Sequence, residues 1–188
     1  MTLSAVAVAI TVAWAAYPHA QAQEEKVNRD ARVLADYQKR VEGYLALQRQ
    51  ALKDVPKLEQ TDDPAKIQAA RDARAAAVRK ARAGAAQGDI FTAEVRPLFR
   101  RILSPETKGA VGEDTKRTIK EDAPARISFK VNASYPEDQP LPTVPPNVLA
   151  SLPRLPEGLE YRIVRRHLIL RDAEANLIVD ILPNVMPQ

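Results

Sequence analysis

Between residues 24 and 53 apolar side chains return every three or four positions. Val27, Leu34 and Val41 stand seven apart, Gln48 continues the series, and Ala31, Tyr37, Tyr44, Leu45 and Leu52 fill the same side. That period is the signature of an amphipathic helix, and Pro56 ends it. After a linker over residues 55–61, Asp62-Asp63-Pro64 provides a capping carboxylate and a proline suited to a first helical turn. A second helix is expected from there to about Ala86, with an inner stripe of Ile67, Ala70, Arg74, Ala77 and Ala81. The stripe is mostly small, and the linker is short. The pair therefore reads as an antiparallel helical hairpin with a seam of coiled-coil type. Arg74 lies in the seam, its head directed to solvent or to an acid such as Asp36 or Glu42.

Asp89 is placed to cap a third helix bearing Ile90, Phe91, Val95, Leu98, Phe99, Ile102 and Leu103. Pro97 implies a kink there, or a later start. Ser104-Pro105-Glu106 opens a fourth helical stretch to about Glu121, weakened by Gly109 and Gly112. The period then changes from helical to alternating. Residues 126–132 read as a half-buried strand with Ile127, Phe129 and Val131 inward. Residues 136–156 carry seven of the fifteen prolines and read as an extended connector, neither helix nor inner strand. Three short strands follow, at 159–164, 167–171 and 177–182. Arg165-Arg166 forms the first turn and residues 172–176 the second, with Asn176 suited to a left-handed conformation. The fold class is α+β: a helical hairpin, one or two shorter helices, then a small antiparallel sheet of three to four strands. The third helix is the expected cover for its apolar face.

The N-terminus adds a compartment. Leu3 to Tyr17 is almost wholly apolar, residues 1–22 carry no Lys, Arg, Asp or Glu, and Ala20-Gln21-Ala22 precedes the charged Gln23-Glu24-Glu25-Lys26. An apolar core ending in a small-x-small triplet describes a cleavable export signal, cut between Ala22 and Gln23. The run is short for a membrane span, which needs about 20 apolar residues. An uncleaved tether and a cytosolic helix are the competing readings, and the weak positive charge before the apolar core fits a signal poorly. The chain divides into a signal over 1–22, a helical region over 23–121, and a β region over 122–188. The crossover 136–156 of the β region packs with the helices from 89 onward. The expected location is the periplasm, or outside the cell, of a bacterium.

Charge and composition narrow the chemistry. Residues 23–121 hold 21 basic and 16 acidic side chains, and residues 122–188 hold 7 and 8, so the net charge of +4 belongs to the helices. An excess this small, with signs interspersed, reads as a solvated helix surface. In an exported protein it suits an anionic envelope surface better than DNA. There is no cysteine, and loss of the signal removes His19, leaving His167 as the one histidine. A zinc site, thiol catalysis and Cys-linked haem have no residues to build on. Arg165 and Arg166 beside His167 disfavour its charged form, and it reads as an ordinary strand-start residue. No nucleophile elbow, phosphate loop or dinucleotide fingerprint occurs. Asp172, Glu174 and Asp180 are the one imaginable carboxylate cluster. Asp172 and Glu174 sit at a turn, and Asp180 is expected to pair with Arg171 or Arg162. No catalytic, cofactor-binding or metal-ligating residue is assigned. Nucleic acid is not an expected partner, because aromatics are few and sit at core positions.

Three segments resemble a group of uncharacterised exported bacterial proteins: Gln87-Gly-Asp-Ile-Phe-Thr-Ala-Glu-Val95, Val131-Asn-Ala-Ser-Tyr-Pro136, and Leu155-Pro-Glu-Gly-Leu-Glu-Tyr-Arg-Ile-Val164 running into Leu170-Arg-Asp-Ala-Glu-Ala-Asn-Leu-Ile-Val-Asp180. The resemblance implies export and no known activity. The expectation is a non-enzymatic envelope protein acting through a protein or envelope surface. Two surfaces are offered: the outer faces of the helical hairpin, and any unpaired edge of the sheet. The alternative is a small ligand-binding protein or hydrolase with a pocket between helix 90–103 and the sheet. Contact with a membrane is expected only through an uncleaved signal segment.

Overall fold

A computed structural model describes residues 18–121 and 129–186, with the backbone alone for residues 18–22 and Glu24. Among them, five α-helices precede a three-stranded antiparallel sheet, an α+β fold of the class expected. The helices are α1 (Pro18–Ala51), α2 (Pro64–Ala81), α3 (Val95–Leu103), α4 (Gly109–Glu121) and α5 (Pro146–Ser151). The strands are β1 (Leu159–Val164), β2 (His167–Asp172) and β3 (Leu177–Leu182). No helix among the described residues is long and apolar enough to cross a membrane. The apolar run of the proposed signal lies outside the described residues, as do the side chains of His19 and Ala22. Gln23 is exposed on α1.

The apolar face of α1 is used only from Val33 onward. Tyr37, Val41 and Tyr44 are buried with Val33, Leu34, Leu45 and Leu52 packed around them, whereas Val27 is 58% exposed and Ala31 is exposed. Asp63 caps α2 as expected, its carboxylate accepting from the Ala65 amide, with Pro64 in the first turn. The helix ends at Ala81, five residues earlier than expected. Its buried face is also different: Ala75, Val78 and Arg82 are buried, with Gln68 and Arg71 half-buried beside them. The expected stripe lies one residue back, about 100° around the helix. Ile67, the one large apolar residue of the first turns, is exposed and marked the wrong face. The true face includes arginines, whose stems cover apolar surface while their heads reach polar partners.

Helix α3 starts at Val95, not at Asp89, so Pro97 falls in the first turn, where its missing N–H costs nothing and no kink is needed. Ile90 and Phe91 lie in the preceding loop and are nevertheless buried. The fourth helical stretch is broken in two: a 3-10 turn at Pro105–Thr107, then α4. Gly109 permits the break with φ +68°. Gly112 permits close approach: a Cβ there would lie 2.2 Å from the Thr107 carbonyl carbon.

The sheet has the order β1-β2-β3, joined by two hairpins. Leu159 pairs with Asp172, Val164 with His167, and Asp172 with Leu177, and the register shifts between Leu170 and Arg171. Both turns lie where the sequence put them, with Arg165 at φ +57° and Asn176 at φ +50°. All six residues of β3 are buried. One face of the sheet joins the helices in a single core with Tyr37, Phe91, Phe99 and Leu103. The other forms a smaller cluster, Val164, Ile169, Ile178 and Ile181, covered by Phe129 and Val131.

Two further expectations are overturned. Residues 126–128, Ile127 included, lie outside the described residues, but Phe129 to Asn132 is not a strand. Asn132 turns the chain at φ +64°, and the segment meets β3 through one bridge, Ser134 to Leu177, flanked by Asn132 N donating to Ile178 O and Ile178 N to Ala133 O. Its apolar side chains still point inward, so the alternation reported a buried face without a ladder. The connector 136–156 does contain a helix, α5. The seven prolines leave residues 147–152 free, and Pro146 occupies the helix start, where proline is compatible.

Candidate functional site

Buried polar groups are where chemistry would be sought, and here three of them hold the fold together. Asp180 has no exposure and interrupts an otherwise apolar strand. Its Oδ1 accepts from Gly88 N at 3.0 Å, and its Oδ2 from Ile90 N and Phe91 N, both at 2.8 Å. The carboxylate thus satisfies the amides of the α2–α3 loop, and does not pair with Arg162 or Arg171 as expected. Asp172, also without exposure, accepts from Tyr44 Oη at 2.6 Å, Gln48 Nε2 at 2.5 Å and Ala175 N at 2.9 Å. Burial first, and the Asp172 charge second, push the Tyr44 hydroxyl up, so it stays a donor. Arg82 donates to Val179 O and to Asn132 Oδ1, both at 2.9 Å, and its guanidinium lies 5.1 Å from the centre of the Tyr44 ring. Asn132 Nδ2 returns a bond to Arg82 O, closing a reciprocal clasp between α2 and the segment beside β3.

The imagined carboxylate cluster is therefore not one. Asp172 and Asp180 are each saturated by separate partners, and Glu174 lies at the surface in an ion pair with Arg74. The sequence pointed Arg74 to Asp36 or Glu42; its partner comes instead from the β2–β3 turn, and Asp36 pairs with Arg40. His167 begins β2 half-buried. Burial first, then the charges of Arg166 and Arg165, hold its imidazole below the usual range. Among the described residues, no three His, Asp or Glu side chains come close enough to hold a metal ion.

Between the third helix and the sheet, where the alternative reading would place a pocket, core side chains pack together. Val95, Phe99 and Leu103 have no exposure, and the rings of Tyr37, Phe91 and Phe99 meet with centroids 5.2 to 5.9 Å apart. Such ring pairs add about 1 kcal/mol each beyond simple burial. The two outer strands of the sheet differ in what lies beside them. On β1, Tyr161 is 3% exposed and Ile163 fully buried, and β3 is flanked by residues 132–135.

An open site exists elsewhere. A cleft of about 730 Å³ lies between α5, the Pro-rich chain around it and β1. The Pro-rich chain beside it is fastened through its proline carbonyls. A proline-rich segment has few amides to share in a ladder, so its carbonyls need outside donors. Tyr135 Oη donates to Pro140 O at 2.8 Å, Arg162 to Pro142 O at 3.2 Å, and Tyr161 Oη to Pro153 O at 3.0 Å. Tyr161 thereby uses its proton, so Tyr37, 2.8 Å away, donates to it. Burial raises both tyrosines far above their ordinary range and keeps them protonated. Asn147 fastens α5 to Glu106 and Thr115. Val148 then points into the core without exposure, and Leu149 is left 51% exposed on the cleft wall.

The cleft is mainly aliphatic, with Val144, Leu152, Leu155 and Leu159 among its lining residues and three charges, Glu160, Arg162 and Arg154. Burial tends to raise the Glu160 carboxyl, but bonds from Arg162 and Arg171 outweigh it and hold the group below its ordinary range. Arg154 is exposed. The sequence assigns no functional role to any of these cleft residues. No family model matches this chain, no curated protein matches it, and no solved structure matches it.

Proposed function

We propose that this is an exported, non-enzymatic envelope protein that works by holding another protein on its surface. The observation that carries this reading is the cleft of about 730 Å³, open and largely aliphatic, in a molecule whose buried carboxylates are already saturated. Aliphatic side chains held half-exposed in a concavity mark contact sites, whereas scattered exposed ones do not. The apolar segment before Ala22-Gln23 supports export. The resemblance to exported bacterial proteins agrees with it.

Two measurements test the reading. Expression of the full chain in a bacterium, followed by fractionation and mass measurement, is expected to give a periplasmic product beginning at Gln23. Cross-linking of that product in the intact envelope is expected to trap one saturable protein partner. A cytosolic, full-length product, or cross-linking that never saturates, overturns the proposal.

A further inference from the structure

Beside the first cleft lies a second of about 250 Å³, bounded by Tyr37, Gln38, Val41, Glu42 and the same Arg154-Leu155-Pro156 stretch. Arg154 and Leu155 line both hollows and so form the ridge between them, and Arg154 is exposed. No ion pair, hydrogen bond or ring contact engages Arg154 among the described residues, whereas the other cations near the cleft, Arg162 and Arg171, already share Glu160. The charge offered to an occupant at the ridge is therefore positive. Past the ridge, Glu42 is exposed on the wall of the smaller hollow and repels a second acid there.

We infer that the paired clefts bind an extended peptide segment of a partner protein. It places one apolar side chain in each hollow and a single carboxylate over Arg154. This deepens the proposed function and rests on it. A chain with side chains on alternate positions spans two hollows across a ridge, as peptides do in side-chain pockets elsewhere. A single acyl chain needs one continuous slot, which Arg154 and Leu155 interrupt. The acid opposite Arg154 sets the register, and the larger cleft, walled by Leu149, takes the bulkier residue. β3 is already flanked by residues 132–135, and Tyr161 and Ile163 of β1 are buried, so recognition runs through side chains and not through strand addition.

The test uses the full chain against displayed random dodecapeptides, followed by titration of the enriched synthetic peptides. The expected result is enrichment of an apolar–acidic–apolar pattern. Arg154→Glu should weaken the selected peptides about tenfold or more, since reversal of a rim charge replaces attraction by repulsion. It should also shift a fresh selection toward Lys or Arg at the central position. Leu149→Asp and Ala150→Trp, both at exposed positions, should abolish binding while leaving the melting temperature unchanged; Ala150→Trp fills the larger cleft. Failure to enrich any pattern, or enrichment indifferent to all three substitutions, overturns the inference. So does binding of palmitate, of phosphatidylglycerol vesicles, or of a second copy of the chain that the same substitutions abolish while no peptide is selected. The saturable envelope cross-link separates the two levels. If it persists undiminished in all three variants, the partner binds elsewhere: the inference fails and the proposed function stands.

Discussion

At the β3 flank of the sheet, Asp180 gathers three main-chain amides of the α2–α3 loop, Arg82 and Asn132 clasp one another, and no residue of the strand is exposed. At the β1 flank, the connector stands off far enough to leave two hollows, and Arg154 at their boundary has no partner among the described residues. Both flanks contain charged groups beside aliphatic walls. They differ in whether those charges are spent. Where local polar demand is met inside the fold, a charge reports stability. Where a cation and an aliphatic leucine stand exposed together in a concavity, they report something the fold does not need.

Removal of the spent charge should have the largest effect. Asp180→Ala strands the amides of Gly88, Ile90 and Phe91 in the core, and the expected loss is about 4 kcal/mol in denaturant unfolding. A loss under about 1 kcal/mol would erase the distinction between the flanks. Gly112→Ala comes next. The added methyl meets the Thr107 backbone, and the expected cost is about 2 kcal/mol, with altered accessibility at the cleft because Thr115 of α4 holds α5. That result would show that the open flank is supported from behind by a close backbone contact.

A smaller effect concerns pH. The His167 imidazole is held below its ordinary 6.5 in the fold, so the folded state favours the neutral form. The unfolded chain takes up its proton first as pH falls below 6.5, and stability present above that value is lost on the way to the folded value. The melting temperature should therefore drop between pH 7.5 and 5.5, and His167→Gln should lessen the drop. Glu160, also depressed, loses its contribution only below its ordinary 4.5, outside that interval. Smallest of all is the effect expected on stability at the open flank. Leu149→Ser and Arg154→Ala should each fall within about 0.5 kcal/mol of the parent. A substantial loss there would mean that these side chains are part of the core's support after all.

The comparison also explains what was legible in the chain. The three C-terminal strands could be read to within a residue, because alternation, Asn176 and the short turns are all local signals. The helix at 146–151 was not, because the proline content of the whole connector hides the proline-free run 147–152 that follows Pro146. The face of α2 was misjudged because Ile67 is large but exposed, and Arg82 is charged but buried. Asp180 does carry a signal in the sequence: a carboxylate inside Leu-Ile-Val-Asp-Ile-Leu, a run without alternation, must be buried, and a buried carboxylate must find donors. The cleft had no local signal. It is assembled from α5, the chain at 143–155 and β1, and its width depends on how far each stands from the next.

The hydroxyl contacts of α1 carry a consequence in time. Tyr37 meets Tyr161 across 124 positions of sequence, and Tyr44 meets Asp172 across 128. Helices form early and locally, but these two tyrosines receive their partners only when the last strands have arrived. A chain that has emerged as far as α4 has its helices and none of the groups that complete them. Folding therefore waits on the C-terminus, and a nascent or truncated chain ending before residue 172 should behave as loosely packed helices open to proteolysis rather than as a smaller version of the whole.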